Sequence, residues 1–356
     1  MSPVAISDRH NNSGVQTKIQ NRRNLPCYYP DKKVKVTTNQ TNRFPPAFFL
    51  DYDLFSASSS KLPPASLEVP SYVSAEIGDY MQQHTIASQY FATIHLWMPI
   101  VSNPRCFNTL LNPLSFDRAD VALLCLAMKL NLWLPTASSS DPHTTTYIAA
   151  RQFLYGLEIS GTLSLPILQA AILITIYEIG HAIYPAAYAS ISVCIQYAAA
   201  LGLEWKTTSW RDGDQDWIES EERRRVWWAI VILERGLALL HVPWLYPANE
   251  SMATKYRSAL AWDAMDQLSD RFLNYSKKIL SGTELPILES SPLSLHWSYQ
   301  ALVHFCRPSN KNTPSNRLQA QETIQEALKF AYSRWKLTET YLDMLTMNQY
   351  RNIQTI

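Results

Sequence analysis

The chain has 356 residues, 47% hydrophobic and 12% aromatic, enough to bury a sizeable core. A formal net charge of +1 makes the whole molecule neither a polyanion binder nor an acidic tail protein. Its nine glycines fall well under the usual ~7% and argue against dinucleotide folds, phosphate loops and β-rich sandwiches, leaving helices. Five cysteines, Cys27, Cys106, Cys125, Cys194 and Cys306, are odd in number, widely spread and never in a C-x-x-C arrangement, which points to a reducing compartment.

Residues 1–45 carry eight basic side chains against Asp8 and Asp31, a net of +6, so the remainder of a +1 chain carries about −5. Rich in Asn, Thr, Lys and Arg and without periodicity, this segment reads as a flexible basic arm. Its first 20 residues hold no apolar stretch, and no secretory signal is expected. From "FPPAFFLDYDLF" to "SSSKLPPASLEVP" Pro and Ser punctuation continues, but Phe48, Phe49 and Phe55 are anchors able to pin the segment onto a body.

Helices follow. "SAEIGDYMQQHTIASQYFATIHLWM" has Ile77, Tyr80, Met81, Ile86, Tyr90 and Phe91 near helical spacing, closed by Pro99. "DRADVALLCLAMKLNLW" is a second, with Asp117 available as a cap, and "TTTYIAARQFLYGLEISG" a third, ending near Gly161. "LPILQAAILITIYEIGHAIYP" and "AAYASISVCIQYAAALGLEW" are expected to pair as a hairpin around Pro185. After "KTTSWRDGDQD" come "WIESEERRRVWWAIVILERGLALL", "KYRSALAWDAMDQLSDRFLNYSKKIL" and "SLHWSYQALVHFC". A last helix, "NRLQAQETIQEALKFAYSRWKLTETYLDMLTM", sets Leu318, Ile324, Leu328, Ala331, Trp335, Leu342 and Leu345 close to one face. No strand pattern of comparable length occurs. The reading is an all-α protein: a single multi-helix domain over 46–356 after the arm of 1–45.

Residues 182–203 are uncharged and long enough for a membrane span, but Pro185, Tyr188, Ser190, Ser192, Gln196 and many alanines suit a core helix better. "YEIGH" puts Glu178 and His181 at the spacing of carboxylate-bridged metal bundles. There is no second copy, and a hydrogen-bonded core or surface pair is expected instead. H-E-x-x-H, G-x-S-x-G and the glycine-rich nucleotide motifs are missing from the sequence, so no catalytic, cofactor or metal site is assigned. "ESEERRRVWW" offers the pairs Glu219 with Arg223 and Glu221 with Arg225. It also offers an interhelical lock, in which an arginine of the run reaches an acid on a neighbouring helix while Trp227, Trp228, Val231 and Leu233 fill the core.

At this helix the sequence resembles the fungal-specific transcription factor domain, or middle homology region. Glu222, Arg223, Arg224, Arg225, Trp227 and Trp228 match its acid, arginine run and tryptophan pair, Glu234 and Arg235 its acidic-basic pair, and Pro243 and Pro247 its loop. "YFATIHLWMPIVS" (90–102) and "IQYAAALGLEW" (195–205) resemble two further segments of that family, in the same order. Beyond Pro247 the family's acidic, proline-bearing loop is replaced by "ANESMATKYR".

The resemblance implies a helical regulatory body that restrains or transmits activation, through dimers or a small-molecule effector. It also implies a six-cysteine zinc cluster ahead of that body. "NLPCYYP" resembles the end of such a cluster with Cys27 as the sixth cysteine, but Thr17 and Gln20 stand where the fourth and fifth belong, and neither replaces a thiolate. The DNA-reading module is thus degenerate, lost or encoded upstream, and zinc is expected only if an upstream exon completes it. Arg22, Arg23, Lys32, Lys33 and Lys35 fit phosphate contacts, a nuclear import signal or a solvated linker. The implied function is nuclear transcriptional regulation of a secondary-metabolite gene cluster, with DNA reached through the arm or through a partner, as a homodimer or heterodimer. A regulatory partner that binds no DNA, a helical enzyme and a membrane-associated protein are the rival readings.

Overall fold

The computed structural model describes residues 67–112, 118–136, 140–203, 217–241, 252–281, 290–306 and 314–354, all within one compact unit, Arg43–Ile356. The helices are α1 Ser71–Ile77, α2 Tyr80–Ala92, α3 Ala119–Asn131, α4 Thr145–Ile159, α5 Leu165–Gly180, α6 Ala186–Ala200, α7 Trp217–His241, α8 Met252–Ser281, α9 Pro292–Phe305, α10 Pro314–Ala331 and α11 Leu337–Gln354. Shorter helical turns occupy 94–96 and 103–110. Among the described residues no strand occurs beyond an isolated bridge at Thr136.

Sequence chemistry explains most boundaries. The helix expected across 74–98 is two, because Gly78 takes φ 70 and Asp79 restarts the chain with a capping box to Gln82. Thr144 caps α4 through the Tyr147 N–H, and Ser164 with Pro166 opens α5. The α5–α6 hairpin turns at Pro185, with Thr175 facing Cys194. The proposed cap Asp117 lies outside the described residues. The expected last helix is broken after Ala331 by a turn over 332–336, and Leu318 on its expected inner face is exposed, whereas Ile324, Leu328, Trp335 and Leu345 are buried.

All sixteen residues of α5 are buried, as expected for a helix apolar on every side. It packs against α3, α4, α6, α7 and α9, while α8, α9, α10 and α11 form a second cluster joined to the first through α9 and the 332–336 turn. There the Trp335 ring lies against Gly180; a methyl group on that glycine would stand 2.1 Å from the ring. The buried Arg334 donates to the backbone oxygens of Trp133 (2.8 Å) and Asn131 at the C-terminus of α3, the negative end of a helix dipole. No helix among the described residues is long and apolar enough to cross a membrane.

Candidate functional site

The inward face of α7 is set by Val226, Ala229, Ile230, Leu233 and Leu237, all buried. Extending that row one turn toward the N-terminus reaches Glu222, only 3% exposed. A carboxylate taken that far out of water needs compensation. It receives the Ser102 N–H at Oε1 (2.6 Å) and the Arg105 guanidinium at Oε2. Arg105 also lies 3.7 Å from Glu219.

The segment that supplies these donors is held from three other directions. Tyr90 donates its hydroxyl to the Met98 carbonyl at 3.5 Å, Gln169 of α5 reaches the Ile100 carbonyl at 2.7 Å, and Arg225 reaches the Pro99 carbonyl at 3.5 Å. Ser102 caps the turn containing Arg105, accepting the Arg105 N–H at 3.4 Å. On the far side of α7, Arg223 donates to the Leu201 carbonyl at the end of α6 (3.2 Å). Glu222, Arg223 and Arg225 therefore tie together three separate stretches of chain, around 98–105, 201 and 219–225.

The lock has the opposite polarity to the one expected. An acid of the run receives an arginine from outside, and the run's own arginines reach backbone carbonyls and acids of their own helix instead, because the phase set by Val226 and Ala229 turns Glu222 inward. The expected pairs are present, Arg223 with Glu219 at 3.2 Å and Arg225 with Glu221 at 2.7 Å, and Arg224 also grips Glu221 at 2.7 Å. Hydrogen bonds from Arg224 and Arg225 hold the Glu221 carboxyl down at about 2. Trp228 does not fill the core: it is 44% exposed, Trp227 is half-buried, and Gly236 lets α7 approach Leu293 of α9 instead. Glu234 and Arg235 lie 3.3 Å apart on the surface.

Nothing around Glu222 is poised for covalent chemistry. Burial, helped by the Glu222 charge, pushes the Cys106 thiol up to about 12 and raises the Tyr90 phenol, so both stay protonated at neutral pH. Among the described residues no His, Cys, Asp or Glu group is arranged to hold a metal ion. Glu178 and His181 are both buried but do not pair with each other. Glu178 accepts the Tyr147 hydroxyl at 2.9 Å with Arg151 at 3.6 Å, and burial raises its carboxyl. His181 sits among Tyr177, Trp133 and Trp335, where burial and the nearby Arg334 hold it neutral, with its acidity constant lowered to about 3.

Cys27, Arg22, Arg23, Lys32, Lys33, Lys35, Pro243 and Pro247 lie outside the described residues. Sequence reasoning did not single out Ser102, Arg105 or Gln169. The first two had a readable signal, since Ser-Asn-Pro-Arg has the form of a capped helix start with proline in its first turn.

The fungal specific transcription factor domain matches residues 87–241, which span every contact of the Glu222 clamp. The transcription factor BOA15 of Botryotinia fuckeliana (strain B05.10) is 35% identical over 182 residues, half of this chain and 98% of that protein. This chain belongs to the fungal-specific transcription factor family. The pigment biosynthesis transcriptional activator pigB of Monascus ruber is 27% identical over 207 residues, 52% of this chain but only 36% of that longer protein. No solved structure gives a significant match. The family and both relatives are transcription factors and not enzymes, so the clamp belongs to a regulatory body and the helical-enzyme and membrane readings have no support.

Proposed function

We propose that this member of the family is a nuclear, pathway-specific regulator of a secondary-metabolite gene cluster, working as an activator. The observation that carries the proposal is the likeness to a pigment biosynthesis activator over 207 residues, 52% of this chain. The body positions the regulator, and the basic side chains Arg22, Arg23, Lys32, Lys33 and Lys35 supply phosphate contacts or nuclear import. Deleting the gene and profiling transcripts tests this. Loss of messages from one contiguous biosynthetic cluster is the expected result, and an unchanged transcript profile would refute it.

A second reading, a partner that reaches DNA only through a complete family member as a heterodimer, is favoured by Thr17 and Gln20 at two positions where the zinc cluster needs thiolates. Mobility-shift assays at physiological salt separate the two. If the arm binds directly, replacing the five basic residues with alanine reduces the steepness of log K against log salt, by roughly 0.9 for each phosphate no longer neutralised. If the isolated chain shifts no DNA at any salt, the partner reading takes its place.

A further inference from the structure

We propose that the outer face of α4 is the docking seat of this chain's own residues 48–55. The proposal rests on the fold and the sequence and does not depend on which genes are regulated.

The inner side of α4 is conventional: Tyr147, Ala150, Phe153, Leu154 and Leu157 are buried. Its outer side is not. Ile148, Tyr155 and Ile159 are 47%, 64% and 70% exposed. Steps of seven and four residues put all three on one line of the helix, an apolar stripe roughly 16 Å long at 1.5 Å per residue. Gln152 lies between them, so the stripe carries no charge along its length. A line of large apolar side chains on a helix otherwise well buried marks a surface that expects a partner.

The position of the chain entry identifies that partner. The described chain begins at Leu67, whose side chain rests beside Gly156 on the flank of the same stripe, 3.7 Å from where a methyl on that glycine would stand. Upstream by sequence is "FFLDYDLF", residues 48–55, with Phe48, Phe49, Leu50, Tyr52, Leu54 and Phe55 around two acids and no base. Eleven residues lie between Phe55 and Leu67, and the twelve steps from one to the other span up to ~40 Å when extended, more than twice the length of the stripe. The other flank of α4 carries Arg151, which is already engaged by Glu178 at 3.6 Å and Ser190 at 2.8 Å, and Glu158 beside it, so the apolar side chains and not an ion pair select the partner. An uncharged apolar stripe suits the six apolar residues of that segment, and the tether supplies them at high effective concentration.

The test is photo-crosslinking in the full-length chain with Tyr155→p-benzoylphenylalanine, and with Trp228→p-benzoylphenylalanine as an exposed control elsewhere. Trypsin cuts after Arg43 and Lys61, so the proposed partner is released as the single peptide 44–61. The expected result is an intramolecular cross-link from position 155 to that peptide. It should be missing from position 228 and disappear when Phe48, Phe49 and Phe55 are replaced together by serine. A covalent dimer, a link to any other part of the chain, no link from 155, or a link to 44–61 that survives the serine replacements would each overturn the assignment.

Discussion

Glu222 and Arg224 stand two positions apart in the same run and answer to opposite physics. Arg105→Ala leaves a 3%-exposed carboxylate with only the Ser102 N–H for company, and should cost about 3 kcal/mol, as when one partner of a buried pair is removed. Arg224→Ala trims a side chain that is 61% exposed, and Glu221 keeps Arg225, so the urea midpoint should not move. Equal midpoint shifts for the two variants would show that the clamp is solvated. A second residue-scale expectation concerns acid. His181 has a folded-state constant of about 3, below its ordinary 6.5, so its contribution is complete above 6.5 and is lost as pH falls toward 3. Between pH 7 and pH 5 that amounts to about 2 kcal/mol. His181→Leu should flatten this part of the acid limb in thermal melts at a series of pH values; an unchanged slope would place the sensitivity elsewhere, with His296, lowered to about 4 by burial, the next group to test.

At the scale of elements, close approach between helices was harder to read than the helices themselves. The α5 run "LPILQAAILITIYEIG" is apolar on all sides and could only be a central helix. The Gly78 and Asp79 break carried its own glycine and capping-box signal. The break after Ala331 carried none: "KFAYSRWKLTETYL" contains no glycine or proline, and its periodicity continues through the turn, because what ends the helix is the burial of Arg334 and Trp335 against distant partners. The Trp227–Trp228 pair misled in a similar way. Two adjacent tryptophans lie about 100° apart on a helix, and the row of Val226, Ala229, Ile230, Leu233 and Leu237 decides which side turns inward. Reading that row first would have placed Glu222 in the core. The junction of α5 with the 332–336 turn is testable through its glycine. Gly180→Ala drives a methyl into the Trp335 ring and should destabilise by roughly 1–3 kcal/mol, whereas Gly156→Ala meets only ordinary contact and should be neutral or slightly stabilising. Matching melting temperatures for the two would mean that the Trp335 ring swings aside freely.

For the whole molecule, the family region and the C-terminal helices share one core. Arg334 spans 201 residues to bond Trp133, and its partial desolvation beside the Trp335 ring, 4.3 Å from its guanidinium carbon, brings its acidity constant down to about 10 while leaving it charged. Ending the chain at Ala331 should therefore leave the carbonyls of α3 and the Gly180 notch uncovered together. The expected outcome is loss of a single cooperative unfolding transition by circular dichroism; a truncated chain that still melts sharply would show that residues 87–241 are self-sufficient. Cysteine labelling supplies an independent check. Cys106, Cys125 and Cys194 are buried and should resist alkylation in the folded chain, while Cys306 is exposed and should react.

The notch at Gly180 also sets an order of events during synthesis. A chain made from its N-terminus completes α5 and then waits 155 residues for the ring that fills its groove. At typical elongation rates of ~5–20 residues per second, that interval is roughly 8–30 s. Throughout it, the fully buried α5 carries an open slot, and the end of α3 lacks its arginine. The nascent regulator is thus unfinished until Arg334 and Trp335 clear the ribosome, so premature termination between α7 and those residues yields a chain that displays its core and invites chaperones or proteases rather than a shortened but orderly product.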